Sequence, residues 1–272
     1  MRKEVVVPKT LLVPLDGSDL AGRALPIVGQ LAERVGGDIV LVAAETGGVS
    51  VPAAYLDAAA AFTGSCGAHV EVVQCVSLAD ALRAVADDAN DPAICMATHA
   101  RSGMGHALFG SAAEAVVRTL QVPAVLVGPH CDTTLRASGP LAVCFDGSAA
   151  SAAVLPLAEQ WARALATPIV LVYVYHPLDV ESATHPETIA RTAAERLSID
   201  AEVHLVRGES AHSVIRAVRD VDPVLVALAT HGRTGLARLV MGSVATAVVR
   251  RSDCPALVVR PPADALTATS ET

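Results

Sequence analysis

Short apolar runs rich in Val, Leu and Ile recur along the chain, separated by longer Ala-rich stretches in which apolar residues return every three or four positions. The first pattern marks buried strands and the second amphipathic helices, and their alternation is that of βαβ units feeding a parallel sheet. It predicts strands near Thr10–Leu15, Asp38–Ala44, His69–Cys75, Ala93–Thr98 and Ala124–Gly128, with helices between them. The first helix starts after Ser18, a residue suited to the N-cap, and stops at Gly36-Gly37. Further strands are predicted near Leu141–Phe145, Ile169–Tyr175, Ala201–Arg207, Val224–Ala229 and Ala256–Arg260. Helices are expected near Ser148–Ala166, Ser182–Ser198, Ser210–Val218 and Ser243–Arg250.

The second set of elements repeats the first. LVPLDGSDLAGRALPIVGQLAERVGGDIVLV, beginning at Leu12, returns as LAVCFDGSAASAAVLPLAEQWARALATPIVLV, beginning at Leu141. ATHARSGMGHALFGSAAEAVVRTLQVPAVLV, from Ala97, returns as ATHGRTGLARLVMGSVATAVVRRSDCPALVV, from Ala229. Two separated blocks matching in the same order identify a tandem duplication, so polar residues recurring at equivalent positions are those each copy needs to fold or to bind. The expected division is a first domain over residues 1–129, a linker over 130–139, a second domain over 140–261 and a disordered tail over 262–272. The last strand of each copy, reading AVLVG and ALVVR, lies at a sheet edge too apolar to face water. The two edges are expected to pair with each other, giving an intra-chain pseudo-dimer, with a homodimer as a further form of self-association.

Composition narrows the class. Of 272 residues 52% are hydrophobic, only 3% aromatic and 18% charged, so Ala, Val and Leu build the interior, as where helices pack on a parallel sheet. The net charge of −8 is negative in both halves and excludes the basic excess needed for DNA or RNA. Six cysteines form no CxxC pair, which removes the zinc and dithiol readings, and most lie in apolar runs where a reduced thiol acts as a small hydrophobe. No apolar run has the length of a membrane span, and MRKEVVVPKT lacks a signal-peptide core, so a reduced cytoplasmic protein without membrane partners is expected.

The recurring polar residues all fall where strands end. Asp16-Gly17-Ser18 and Asp146-Gly147-Ser148 follow the first strand of each copy; Thr98-His99 and Thr230-His231 follow the fourth; Gly110-Ser111 and Gly242-Ser243 open the last helix. In an open parallel sheet, ligands bind outside the carboxyl ends of the strands. A loop of small residues ending in Gly-Ser at a helix start offers unpaired N–H groups, a hydroxyl and the positive end of the helix dipole, which suits an anion such as phosphate. Arg101 and Arg233 add positive charge nearby. The alternative is that Ser111 and Ser243 merely cap their helices; Ser111 with Glu114 fits a capping box. Asp16 and Asp146 either cap their own turns or accept hydrogen bonds from ribose hydroxyls or hold a metal. His99 and His231 read as structural or ligand-lining imidazoles, because no Ser/His/Asp geometry follows from the sequence; no catalytic residue and no metal ligand set is assigned. GxxxxGK[ST] and a GxGxxG after the first strand are both absent, excluding a P-loop and a dinucleotide fingerprint.

With its DGS after the first strand and a loop near G-x2-G-x9-G-[S/T] after the fourth, the chain resembles the universal stress proteins, in their tandem form and ATP-binding branch. The second copy replaces the first glycine of that loop, at Ala229, and keeps Gly232; the first replaces two, at Ala97 and Ala100. Arg207-Gly208-Glu209 after the third strand fits the family pattern, whereas its counterpart Cys75-Val76-Ser77 does not. The resemblance implies an α/β fold of two tandem flavodoxin-like (Rossmann-like) domains, each a five-stranded parallel sheet with helices on both faces. It implies ATP as ligand, alone or with Mg2+. Adenine would lie against Ala44 or Val174 and ribose near Asp16-Gly17 or Asp146-Gly147. Phosphates would lie over Gly110-Ser111-Ala112 or Gly242-Ser243-Val244, with Thr98, His99, Arg101, Thr230, His231, Gly232 and Arg233 lining the site. A nucleotide-dependent stress-response regulator follows; a nucleotide-free interaction module and a slow ATPase or self-phosphorylating protein are the alternatives.

Overall fold

In the computed structural model, which describes residues 9–45, 50–63, 67–98, 113, 116–117, 122–176, 185–208, 211–231, 241–262 and 265, both sheets grow outward from a strand with no exposed side chain. All six residues of β1 (Thr10–Leu15) are buried, as continuous apolar runs are when helices cover both faces of a sheet. β1 pairs in parallel with β2 (Asp38–Glu45) on one side and β4 (Pro92–Ala97) on the other. β3 (Ala68–Gln74) adds to β2 and β5 (Ala124–Val127) to β4, giving the order β3-β2-β1-β4-β5. The second unit repeats this around β6 (Leu141–Phe145), with β7 (Ile169–Tyr175), β8 (Ala201–Arg207), β9 (Leu225–Ala229) and β10 (Ala256–Val259) in the order β8-β7-β6-β9-β10. The expected doubly wound α/β architecture is therefore present in each copy, and its strands start and end within a residue of the apolar runs. The winding reverses between β1 and β4, and between β6 and β9, which makes these pairs the topological switch points.

The first helix of each copy departs from the expectation of one continuous segment. It is split into α1 (Asp19–Gly22) and α2 (Leu25–Val35) in the first unit, and into α5 (Ala149–Ala152) and α6 (Leu155–Ala164) in the second. The cause is a proline at the same place in both. Pro26 and Pro156 have no N–H to give to the carbonyls of Gly22 and Ala152, and their rings crowd those carbonyls, but each is well placed in the first turn of a new helix. α2 lays Ile27, Val28, Leu31 and Ala32 on β1 and β2, and α6 lays Ala158, Trp161 and Ala162 on β6 and β7. The remaining helices among the described residues are α3 (Ala53–Phe62), α4 (Leu78–Asp88), α7 (Pro186–Ala194), α8 (Ala211–Val221) and α9 (Ser243–Arg251). None is long and apolar enough to cross a membrane.

The chain divides into its two compact units between Leu135 and Arg136. Up to Leu135 it is held by the first unit: the Arg23 guanidinium donates to Pro129 O (3.3 Å), the Gln30 amide nitrogen donates to Thr133 O (3.4 Å), and Leu135 N donates to Gln30 Oε1 (2.9 Å). Cys131 and Leu135 are buried there. From Arg136 onward it belongs to the second, where the guanidinium pairs with Asp222 (2.8 Å) and Asp253 (3.1 Å) and donates to Pro223 O. Cys95, Cys131, Cys144 and Cys254 are buried; burial pushes the Cys144 thiol up to about 12 and Cys95 upward as well, leaving those two inert. Cys75 is partly exposed.

Backbone strain separates the copies at one point. α2 ends on Gly36 in the left-handed region (φ 66°), and the equivalent residue after α6 is Ala166 at φ 50°. An L-residue with a β-carbon is disfavoured there by about 1–2 kcal/mol. Ala166→Gly is expected to stabilise the second unit by roughly 0.5–1 kcal/mol after the added unfolded-state freedom of glycine is subtracted. A rise in its urea midpoint reads this directly; a fall would show that Ala166 is held without strain.

Candidate functional site

Both central strands turn polar in the residue that leaves the sheet, and the turn is built identically twice. Asp146 Oδ1 accepts from Ser148 N (3.0 Å) and Ser148 Oγ (2.6 Å); Asp16 Oδ1 accepts from Ser18 N (3.0 Å) and Ser18 Oγ (2.5 Å). The chain is reversed by a left-handed glycine between them, Gly147 at φ 85° and Gly17 at φ 80°. Each serine then caps the short helix behind it, accepting from Ser151 N (3.0 Å) or Ala21 N (3.2 Å). The turn reading of the two aspartates is thus met by one oxygen of each carboxylate. In the first unit Asp16 is exposed and its Oδ2 has no hydrogen-bond partner among the described residues.

Across the switch point, β4 and β9 end on buried threonines. Thr98 N donates to Val127 O (3.1 Å), and Thr230 N to Val259 O (2.8 Å). Thr230 Oγ1 lies 2.9 Å from Nδ1 of His231, which fixes a partly exposed imidazole at the mouth of the crevice. Thr230 O accepts from Gly242 N (2.7 Å), so the start of α9 is pinned to the end of β9. Gly242 has extended backbone (φ −63°, ψ 160°), and glycine is used there for closeness: a β-carbon would lie 3.3 Å from Thr230 O. Gly242, not Ser243, is the N-cap, and it offers no side chain to the first-turn N–H groups. Ser243 is the first helical residue; its hydroxyl is exposed and unbonded among the described residues, so the capping alternative does not apply to it. Val244 beside it is also exposed.

Ala44 and Val174 sit at the ends of β2 and β7, next to the Asp-Gly-Ser turns, and both are partly exposed. His99, Arg101, Gly110, Ser111, Ala112, Gly232 and Arg233 lie outside the described residues. Gly208 serves packing: its φ is not positive, and a β-carbon would overlap Cβ and Oγ of Ser213 in α8. Its glycine therefore carries no argument from left-handed backbone. Tyr55 was not legible as part of this region. From α3 its hydroxyl donates to Ser18 O (2.9 Å), while Val51 and Pro52 rest against Gly17. Partial burial and then the charges of Asp16 and Asp19 raise its phenol above the ordinary tyrosine value. A single tyrosine in the run AAYLDAAAAF was the only available signal. Among the described residues no group of three His, Cys, Asp or Glu side chains is placed to hold a metal ion.

Comparison with known proteins agrees with this arrangement. The model of the universal stress protein family matches residues 139–260. Residues 139–260 are a universal stress protein domain. A universal stress protein of Methanocaldococcus jannaschii is 32% identical over 69 residues, covering 25% of this chain and 41% of that one. Another, of Bacillus subtilis, is 32% identical over 74 residues, covering 27% and 49%, so the matches span less than half the length of either relative. The crystal structure of a universal stress protein from Archaeoglobus fulgidus shares the fold over 93% of this chain and 98% of its own, with a TM-score of 0.68 at 19% identity. The universal stress fold is thus present in both units, and the family model falls on the second.

Within that fold the Asp-Gly-Ser turn is a structural unit whether or not a ligand occupies the crevice. Ser148 is buried, donates to Asp146 and caps α5. Ser148→Ala should lower the stability of the second unit by about 1–2 kcal/mol. An unchanged urea midpoint would mean that the turn holds without its cap.

Proposed function

We propose that this chain is a universal stress protein in both units, a cytoplasmic regulator that binds an adenine nucleotide, ATP, alone or with Mg2+, in the crevices at the carboxyl ends of its sheets, and changes partner choice in response. The observation that carries this reading is the start of α9. Its first-turn N–H groups have no side-chain cap, the Ser243 hydroxyl is exposed and unbonded among the described residues, and both stand at the switch point beside Thr230 and His231. Uncapped N–H groups and the positive end of a helix dipole favour the charge of a phosphate. Asp146, on the other side of the switch point, is the acceptor assigned to the ribose hydroxyls, and Val174 the apolar surface for adenine. Mg2+, when bound, would sit on the phosphates and neutralise part of their charge. The proposed outcome of binding is a change of state and not turnover.

Two measurements test this. Ser243→Glu puts a carboxylate on the first turn of α9, which favours the free helix and repels phosphate. ATP affinity by calorimetry should fall at least about tenfold, since 1.4 kcal/mol corresponds to that factor, while the melting temperature holds or rises. Retained affinity would place the ligand elsewhere.

The second separates the copies. The second keeps Gly232 where the first has Ala100, and on a phosphate-binding loop of the kind the resemblance implies a β-carbon would obstruct close approach of phosphate. A difference of about 1–2 kcal/mol corresponds to roughly five- to thirtyfold in affinity. Asn at position 16 or 146 can still accept from the serine and keep the turn, so it tests the charge alone. Asp146→Asn should remove most of the tight ATP binding and Asp16→Asn much less; equal losses would overturn the asymmetry.

A further inference from the structure

Thr10 and Asp38 open β1 and β2, so they stand at the end of the first sheet opposite to Asp16 and the crevice. The register pairs Thr10 with Asp38, Val40 with His69 and Val42 with Glu71, which sets Thr10, Asp38, Val40, His69 and Glu71 on one face of the sheet. α4 packs on β1 and β2 and ends beside these residues, with Val85, Asp88 and Ala89 completing the lining of a cleft of about 400 Å³. Thr10 is 9% exposed and lines this cleft, and its hydroxyl has no hydrogen bond among the described residues. Asp38, Glu71 and Asp88 bring three carboxylates to the lining, in which no lysine or arginine takes part. The last turn of α4 holds Asp87 and Asp88 and no basic residue, although the negative end of a helix dipole disfavours carboxylates there.

The fold does not require this arrangement, because the second unit builds the same strand order without it. Where the first has Thr10 and Asp38, the second has Pro140 and Pro168, one residue before the paired Leu141 and Ile169. Val170, the counterpart of Val40, is buried, whereas Val40 is partly exposed. The last turn of α8 carries Arg219. What distinguishes the first unit is thus an open, uniformly acidic cleft with an unused hydroxyl inside it.

A cation matches that chemistry, and the layout selects its kind. The cleft is far larger than a single ion needs, and among the described residues no group of three His, Cys, Asp or Glu side chains is placed to hold a metal. The three carboxylates come from three different elements, and Val40, Val85 and Ala89 add apolar surface to the same lining. Separated carboxylates with apolar surface among them suit a chain in which ammonium groups alternate with methylene segments. We propose that this cleft binds a linear aliphatic polyamine, its ammonium groups on Asp38, Glu71 and Asp88, one of them also donating to the Thr10 hydroxyl, and its methylenes on Val40 and Val85. The site is separate from the nucleotide crevices and does not depend on their being occupied.

Calorimetry on the full chain with spermine as the probe tests this. One spermine should bind per chain. Asp38→Asn combined with Asp88→Asn should weaken binding about tenfold. Thr10→Val keeps the shape and removes the unbonded hydroxyl, so it should weaken binding about threefold while the melting temperature holds. Glu195→Gln combined with Asp200→Asn, which removes as much charge from exposed positions of the second unit, should leave the affinity within about twofold. Equal losses in the two double variants would show diffuse attraction to a chain of net charge −8 and overturn the proposal. It is equally overturned by unchanged affinity in Thr10→Val, by no binding at millimolar spermine, or by Mg2+ displacing spermine at equal concentration, which would indicate a divalent-ion site.

Discussion

The middle strand of each sheet, β1 or β6, is hydrogen-bonded on both sides and covered on both faces, and this burial determines where polar chemistry can reside. A polar side chain along such a strand would lose water and find few partners in return. The chain therefore becomes polar only on leaving the sheet, and does so at once, at Asp16 and Asp146. The adjacent strands β4 and β9 do the same at Thr98 and Thr230. Because the crossovers leave β1 and β4, or β6 and β9, toward opposite edges of the sheet, no helix among the described residues fills the gap between their carboxyl ends. Position and polarity of the crevice thus follow from one constraint.

The same constraint gives the turn two tasks that are not rivals. A chain leaving a buried strand for a helix must reverse within two residues, which here takes an Asp to accept from the residue two ahead, a left-handed Gly and a Ser to cap the helix. One carboxylate oxygen is committed to that geometry in both copies. The structural and the ligand-facing readings of the aspartate therefore coexist in a single side chain, and replacing it by alanine would confound them. At the other side of the crevice the division is cleaner. Gly242 is fixed by its approach to Thr230 O, and the hydroxyl of Ser243, one residue on, has no hydrogen bond among the described residues.

The strands were legible because a buried parallel strand has no polar positions to blur its ends, and each apolar run stops where the sheet stops. The crevice was legible because duplication sets its residues apart from ordinary turn residues. The break after α1 and α5 was passed over in favour of the longer periodicity, although Pro26 and Pro156 mark it: a proline in a first helical turn and a proline inside a helix look alike until the carbonyl four residues back is considered. Gly208 was read only as part of a family pattern, and the reason for it, the proximity of Ser213, is a tertiary contact that no local pattern carries. Tyr55 was missed for the same cause, since its partner Ser18 lies in another element.

Duplication also makes each copy a control for the other. Where the backbone demands an unusual conformation and both copies answer alike, as with Asp91 and Asp222 in left-handed backbone at φ 42° and 50°, the demand belongs to the fold. Where they answer differently, as with Gly36 and Ala166, the demand persists and one copy meets it with strain. Gln30 and Gln160 are a third case, in which the residue is the same but, among the described residues, its hydrogen bonds are made in one copy only. A solvated glutamine is cheap to keep, whereas a buried one without partners is costly, so the same residue weighs differently in the two copies.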